Sequence, residues 1–317
     1  MSAALERRCR RLLAAYPRSW REQHGEALLG TLLDAAEAEG RERPGLDVGA
    51  DLVVRGAAAR VDRVVPREVR DGIASSALAL GVALAAVYVV LHAWAPFGQG
   101  REAFRESLHF GPFMNPGVIP CGLWAVALVL TLAGRSGPAR FVLLGTIPVL
   151  LLLPVLGAAR PEWDGPSTTN LVVLGVTAAL AAVGSPRRLR RLGVACLAWT
   201  AGLVGLYAYA DVLTSIGDRV LWARIATPAN VGLATVPVVL LAVGLVLLRR
   251  SATAVVVLAT LVPWLAGASV TVVTGSPDQV PLFVTTTLVA AASGVVALRR
   301  LPGEGPRRRS WRAPRPA

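Results

Sequence analysis

The chain has 317 residues, 54% of them hydrophobic, and a formal charge of +13 carried entirely by arginine, since none of its 33 basic residues is lysine. That apolar share with repeated long apolar runs excludes an ordinary soluble domain and assigns the chain to the multi-pass membrane class. The charge does not signal nucleic acid, because residues 1–72 hold 13 Arg against 12 acids and the excess lies in loops and tail beside apolar runs.

In the first 65 residues the spacing predicts a small helical prefix. Leu5, Cys9, Leu12, Leu13 and Tyr16 form the stripe of an amphipathic helix that Pro17 ends. Ser19 and Glu22 form a capping box, Leu28, Leu29, Leu32, Leu33 and Ala36 give a second stripe, and Gly40 is placed to cap its C-terminus. Pro44-Gly45 makes a turn, Asp47 caps a third helix, and Pro66 separates the prefix from the first membrane segment. Three short helices bury only a marginal core, which favours packing on a partner, a second copy or the membrane body.

The run Tyr16-Pro17-Arg18-Ser19-Trp20-Arg21, followed by Gly25-Glu26, resembles a YP-x-x-WR-x-x-x-G-E prefix found in uncharacterised actinobacterial membrane proteins. It is also similar, more loosely, to the prefix of bacterial orphan permeases and to HAAS-type signalling domains. His24 stands where an aromatic residue usually precedes the glycine, and Leu28 where a methionine is common. The resemblance implies a cytosolic helical module on a membrane protein, in some cases associated with a PadR-type regulator, and no catalytic residue. Tyr16, Trp20, Arg21, Gly25 and Glu26 are the candidate partner-docking residues, with Trp20 anchoring the small core and Gly25 allowing close helix approach.

The uncharged stretch Ile73–Ala95 is long enough to cross a bilayer. Seven more apolar runs follow, near 118–133, 141–159, 171–183, 192–213, 229–248, 252–274 and 280–298, so the expected architecture is all-α with about eight spans over residues 66–298. Loops after even-numbered spans carry Arg135, Arg140, the 187–191 cluster, Arg249 and Arg250 without an acid, whereas the opposite loops hold five Arg against seven acids. The positive-inside rule then places both termini in the cytoplasm of a bacterial cell membrane. Several hairpins close on an apolar run ending in Arg, a hint of a duplicated two-helix unit that stop-transfer composition explains equally well. The connections around 103–110 and 216–225 fit short helices lying in the outer interface, the second with Trp222 at headgroup level.

Few residues carry chemistry. Asp211, after Tyr207 and Tyr209, is the nearest to an ionisable group inside a span, and is read chiefly as the first residue of a wet loop. Pro148, Pro154, Pro237 and Pro263 each free a backbone carbonyl and loosen a span, so Asp211 and Pro237 are the transport-related candidates. His92 and His109 lack a carboxylate partner, the cysteines Cys9, Cys121 and Cys196 lack paired spacing, and no P-loop, GxSxG or HExxH pattern appears. No metal or other cofactor is expected. The Pro- and Arg-rich tail, residues 299–317, is expected to be disordered and to meet anionic lipids. The leading expectation is a non-enzymatic regulatory or sensing membrane protein with a partner-docking prefix, and the alternative is a small-molecule transporter or permease subunit.

Overall fold

The computed structural model describes residues 3–38, 40, 48–49, 52, 56, 59–60, 65–94, 110–113, 115–160, 165–186, 189–214, 228–275 and 280–301. Among these the secondary structure is helical apart from isolated bridges joining Phe113 to Trp94 and to Phe110. The chain divides into two compact units, Met1–Arg67 and Glu68–Ala317.

In the first unit, α1 (Ala3–Leu13) and α2 (Arg18–Ala38) pack as a hairpin. The predicted stripes meet: Leu5, Cys9, Leu13 and Tyr16 are buried with Leu29, Leu33 and Ala36. Arg10 of α1 bridges to Glu26 of α2 at 2.8 Å and to Glu6 on its own helix at 3.0 Å. The expected start of α2 near Ser19 holds to within one residue. The helix begins at Arg18, whose guanidinium pairs with Glu22 at 3.0 Å, and Arg21 N donates to the Pro17 carbonyl. Proline has no N–H to lose at a helix start, so Pro17 fits just before the first turn. Gly40 adopts φ +62°, as a helix-ending glycine should. The described residues between 48 and 60 are helical, with Leu52 buried in the same cluster. Arg60 Nη2 donates to the Ala14 carbonyl at 2.6 Å.

In the second unit, α3 (Arg67–Tyr88) is continued by a π-helical turn, Val89–Ala93. There follow α4 (Val118–Leu132), α5 (Ser136–Ala159), α6 (Thr168–Ala182), α7 (Leu189–Thr214), α8 (Pro228–Leu247), α9 (Ser251–Ala259), α10 (Val262–Gly275) and α11 (Val280–Arg299). Among the described residues five helices are long and apolar enough to cross a membrane: α3, α5, α8, the α9–α10 pair and α11. The apolar helices α4 and α6 have 15 residues each, and at 1.5 Å per residue reach about 22 Å, short of a hydrocarbon core of about 30 Å. The first span starts at Arg67, six residues before the expected Ile73, because the charged turn at Arg67–Asp71 remains helical.

These helices are apolar on all sides, and several carry large side chains on the outside: Phe141 is 78% exposed and Val273 84%. Lipid explains such faces where water would not. Several of their threonines satisfy their hydroxyls within their own helix: Thr131, Thr146, Thr177 and Thr235 each donate to the carbonyl four residues back. Helix α3 is the centre of the unit: 61% of its apolar window is buried, against 11% for α11. Small residues allow this. Ala74, Ala77, Ala79, Ala83 and Gly81 bring neighbours close, and the fully buried indole of Trp124 on α4 lies against Gly81, where a Cβ would overlap the ring. Helix α4 packs on α5, α5 on α6, and α6 on α10, while α8, α9 and α11 form a second group.

Candidate functional site

Two of the prefix candidates, Tyr16 and Trp20, are in direct contact. The Tyr16 ring, buried between the helices, stacks on Trp20 with centroids 4.1 Å apart, and Trp20 meets His24 at 5.3 Å. Spaced four residues apart, the three rings share one face and run from the core to solvent, with Trp20 half-buried and His24 and Arg21 exposed. Glu26, also exposed, is held by Arg10. Gly25 is buried, yet a Cβ there would meet only the Arg21 Cβ at 3.5 Å, an ordinary contact, so close approach does not require this glycine. The position that does is Gly56, where a Cβ would lie 2.7 Å from the Ala15 Cβ and 2.8 Å from its carbonyl carbon. Composition alone does not distinguish the two glycines, because the contact joins segments 41 residues apart.

The Cys9 thiol sits in this core, and burial pushes its pKa above the ordinary value.

Two polar centres lie in the second unit. At one end, Tyr88 in the last turn of α3 donates its phenol to Asn115 Oδ1 at 2.9 Å, and the same oxygen accepts from Gly117 N at 2.9 Å. Asn115 is 2% exposed. A Cβ on Gly117 would lie 2.7 Å from the Tyr88 hydroxyl and 2.9 Å from Pro166, so glycine permits the closure. Beside it opens a cavity of about 190 Å³ lined by Pro116, Leu153, Pro154, Gly157, Ser167 and Leu171 among others. The Asn-Pro-Gly run before an apolar stretch is a turn signal that could have pointed here.

At the other end, Asp71 of α3 accepts from Ser185 N at 2.8 Å, and Arg140 Nε of α5 donates to the Gly184 carbonyl at 2.9 Å. The connection after α6 is therefore tied to two other helices, and a Cβ on Gly184 would overlap the Arg70 carbonyl.

Of the transport-related candidates, Asp211 lies within α7, which continues to Thr214; it is a helix residue and not the first residue of a loop. Its side chain lies outside the described residues, as do those of His92, Tyr207 and Tyr209, the whole of His109 and Trp222, and the tail beyond Leu301. Pro237 is exposed inside α8, which runs unbroken through it, and α5 is likewise continuous through Pro148 and Pro154. Only at Pro263 is the helix interrupted, between α9 and α10. Lacking an N–H, Pro263 leaves the Ala259 carbonyl without its helical donor, and Thr260 and Leu261 close the turn with tighter bonds to Val257 and Leu258. Pro263 is fully buried.

Among the described residues no three His, Cys, Asp or Glu side chains gather into a possible metal site. Comparison with protein-family models, with characterised proteins and with solved structures finds no match.

Proposed function

We propose that this chain is a bacterial inner-membrane protein of about eight spans with both termini cytoplasmic, and that its prefix docks a cytosolic protein in a regulatory, non-enzymatic role. The observation that supports docking most is the aromatic ladder Tyr16–Trp20–His24, which emerges from the core of a separate compact unit beside the exposed Arg21. Aromatic residues flanked by arginine are the side chains that most often dominate protein interfaces. Eight spans require the 15-residue helices α4 and α6 to cross together with flanking residues, and α7 to cross along its apolar part around Leu192–Gly205. The Arg-rich tail then lies beside the anionic cytoplasmic leaflet, where each Arg contributes about 1 kcal/mol.

The test is photocrosslinking in cells from position 21 of the full chain. A discrete cytosolic protein captured from Arg21, and lost when Trp20→Ala is added, supports docking. Products that contain only this chain or lipid reject it.

The interrupted span at Pro263 favours a second reading, a small-molecule transporter, because broken helices line binding sites in transporters. Vesicle flux that responds to Asp211→Asn or Pro237→Ala supports this reading, and flux indifferent to both removes it.

A further inference from the structure

We propose that the exposed arginine face of α1, formed by Arg7, Arg8 and Arg11 with Arg60 at its end, is a docking surface for the anionic lipid headgroups around the first span.

The face follows from the register of the helix. Leu5, Cys9 and Leu13 advance four residues at a time and are buried in the core of the first unit. At about 100° per residue, Arg7 and Arg11 fall on the opposite side of the cylinder, with Arg8 beside them. All three are exposed, and none takes an ion pair or a side-chain hydrogen bond among the described residues. Arg10, the other arginine of the helix, is turned toward α2, where Glu6 and Glu26 balance its charge. Glu22 is held by Arg18, and Asp34 and Glu37 stand in the last turns of α2. The described acids therefore leave this side of α1 to arginine. Arg60 extends it, because its guanidinium donates to the Ala14 carbonyl just past the helix end and stays exposed. A cation is favoured at that end by the helix dipole.

Net charge does not explain an attraction, since residues 1–72 hold 13 Arg against 12 acids. The segregation of the charge does: guanidiniums without counter-charges on one helix face match an anionic surface. The chain itself selects lipid as that surface. Arg60 and Arg67, the first residue of α3, are seven residues apart, at most about 25 Å of extended chain. The headgroups around the span are thus always within reach, at an effective concentration that a partner free in solution does not match. The apolar stripe of α1 is occupied by α2, so the helix docks by charge and does not insert. Each arginine contributes about fivefold to such docking, and the three on α1 together about a hundredfold. Docked in this way, the unit keeps α2 on the side away from lipid, with Arg21 and His24 exposed. The proposal does not depend on a protein partner for that side.

The test places a fluorescent amino acid at the exposed Ala14 of the full chain in nanodiscs that carry a headgroup nitroxide lipid as quencher. Quenching in discs of phosphatidylcholine with about one-third phosphatidylglycerol should be at least about twice that in phosphatidylcholine alone. It should fall to the phosphatidylcholine level at about 0.5 M salt, where charges are screened beyond about 4 Å. The triple change Arg7→Gln, Arg8→Gln, Arg11→Gln should have the same effect. The triple change to lysine keeps the charge and should keep the quenching, which separates lost charge from a misfolded prefix. Equal quenching in the two kinds of disc overturns the proposal. So does phosphatidylglycerol-dependent quenching that survives the glutamine changes, because other arginines then make the contact. A face that binds polyglutamate and ignores phosphatidylglycerol belongs to an acidic protein, and also overturns it.

Discussion

The phenol of Tyr88 and the side chain of Asn115 meet at 2.9 Å across a connection of 27 residues, and the acceptor oxygen also holds the Gly117 amide. Asn115→Ala therefore leaves a buried hydroxyl and a buried amide without their acceptor, and should cost about 2–3 kcal/mol. Tyr88→Phe removes one donor while the amide keeps its bond, and should cost about 1 kcal/mol. Chemical unfolding in detergent ranks the two. Equal effects would mean that the Gly117 bond contributes nothing.

Gly81 and Trp124 are fitted to each other so closely that a single methyl has no place. Gly81→Ala should destabilise the second unit by about 1–3 kcal/mol through overpacking. Pairing it with Trp124→Phe, which shortens the ring system, should recover part of that loss. The indole Nε1 finds no acceptor among the described residues, so Trp124→Phe forfeits no hydrogen bond that they show.

Gly134, after α4, and Arg249, after α8, are left-handed turn residues and should respond in opposite ways. Gly134→Ala places a Cβ at φ +75° and should cost about 1 kcal/mol, although no neighbour stands within 4 Å. Arg249→Gly relieves the same strain at φ +58° and should stabilise by a similar amount. Thermal unfolding of the two variants beside the parent chain reads both signs.

Cys9 gives the first unit a pH dependence of defined sign. Burial favours the neutral thiol, so its folded pKa lies above that of the thiol in the unfolded chain. The associated stability is complete below the unfolded value and is lost as pH rises through the folded one. Unfolding of the first unit followed from neutral pH upward should show a loss in alkaline solution that Cys9→Ala lacks, and alkylation of Cys9 in mildly alkaline buffer should lag that of the unfolded chain.

The proposed orientation is checked by cysteine labelling at exposed turn residues. Gly137→Cys, beside the Arg135 turn, should react only with reagents that reach the cytoplasm, and Gly111→Cys only with those added outside. The reverse pattern would invert the assignment of every loop.

Periodicity made the helices legible because apolar stripes and runs are local. Leu5, Cys9 and Leu13 fall into the core from their spacing alone, whereas of the four prolines expected to loosen a span only Pro263 coincides with an interruption. Helix ends were less legible. The start of α2 fell within one residue of Ser19, whereas at Asp211 the helix outran the polar signal. The polar centres were not legible as centres. Tyr88 and Asn115, or Asp71 and Ser185, become partners only through a fold that spans 27 and 114 residues, and nothing local marks an aspartate at a helix start as an acceptor for a distant amide. Nor did composition separate Gly25, which a methyl would not disturb, from Gly56, where it would clash.

The bond between Asp71 and Ser185 also bears on the order of synthesis. Residue 71 leaves the ribosome well before residue 185, and at about 5–20 residues per second the intervening 114 residues take about 6–23 s. Throughout that interval the central helix is already made while the amide that donates to its carboxylate is not. The charged end of this deeply buried helix is therefore held by water or headgroups until α6 and the connection after it are complete.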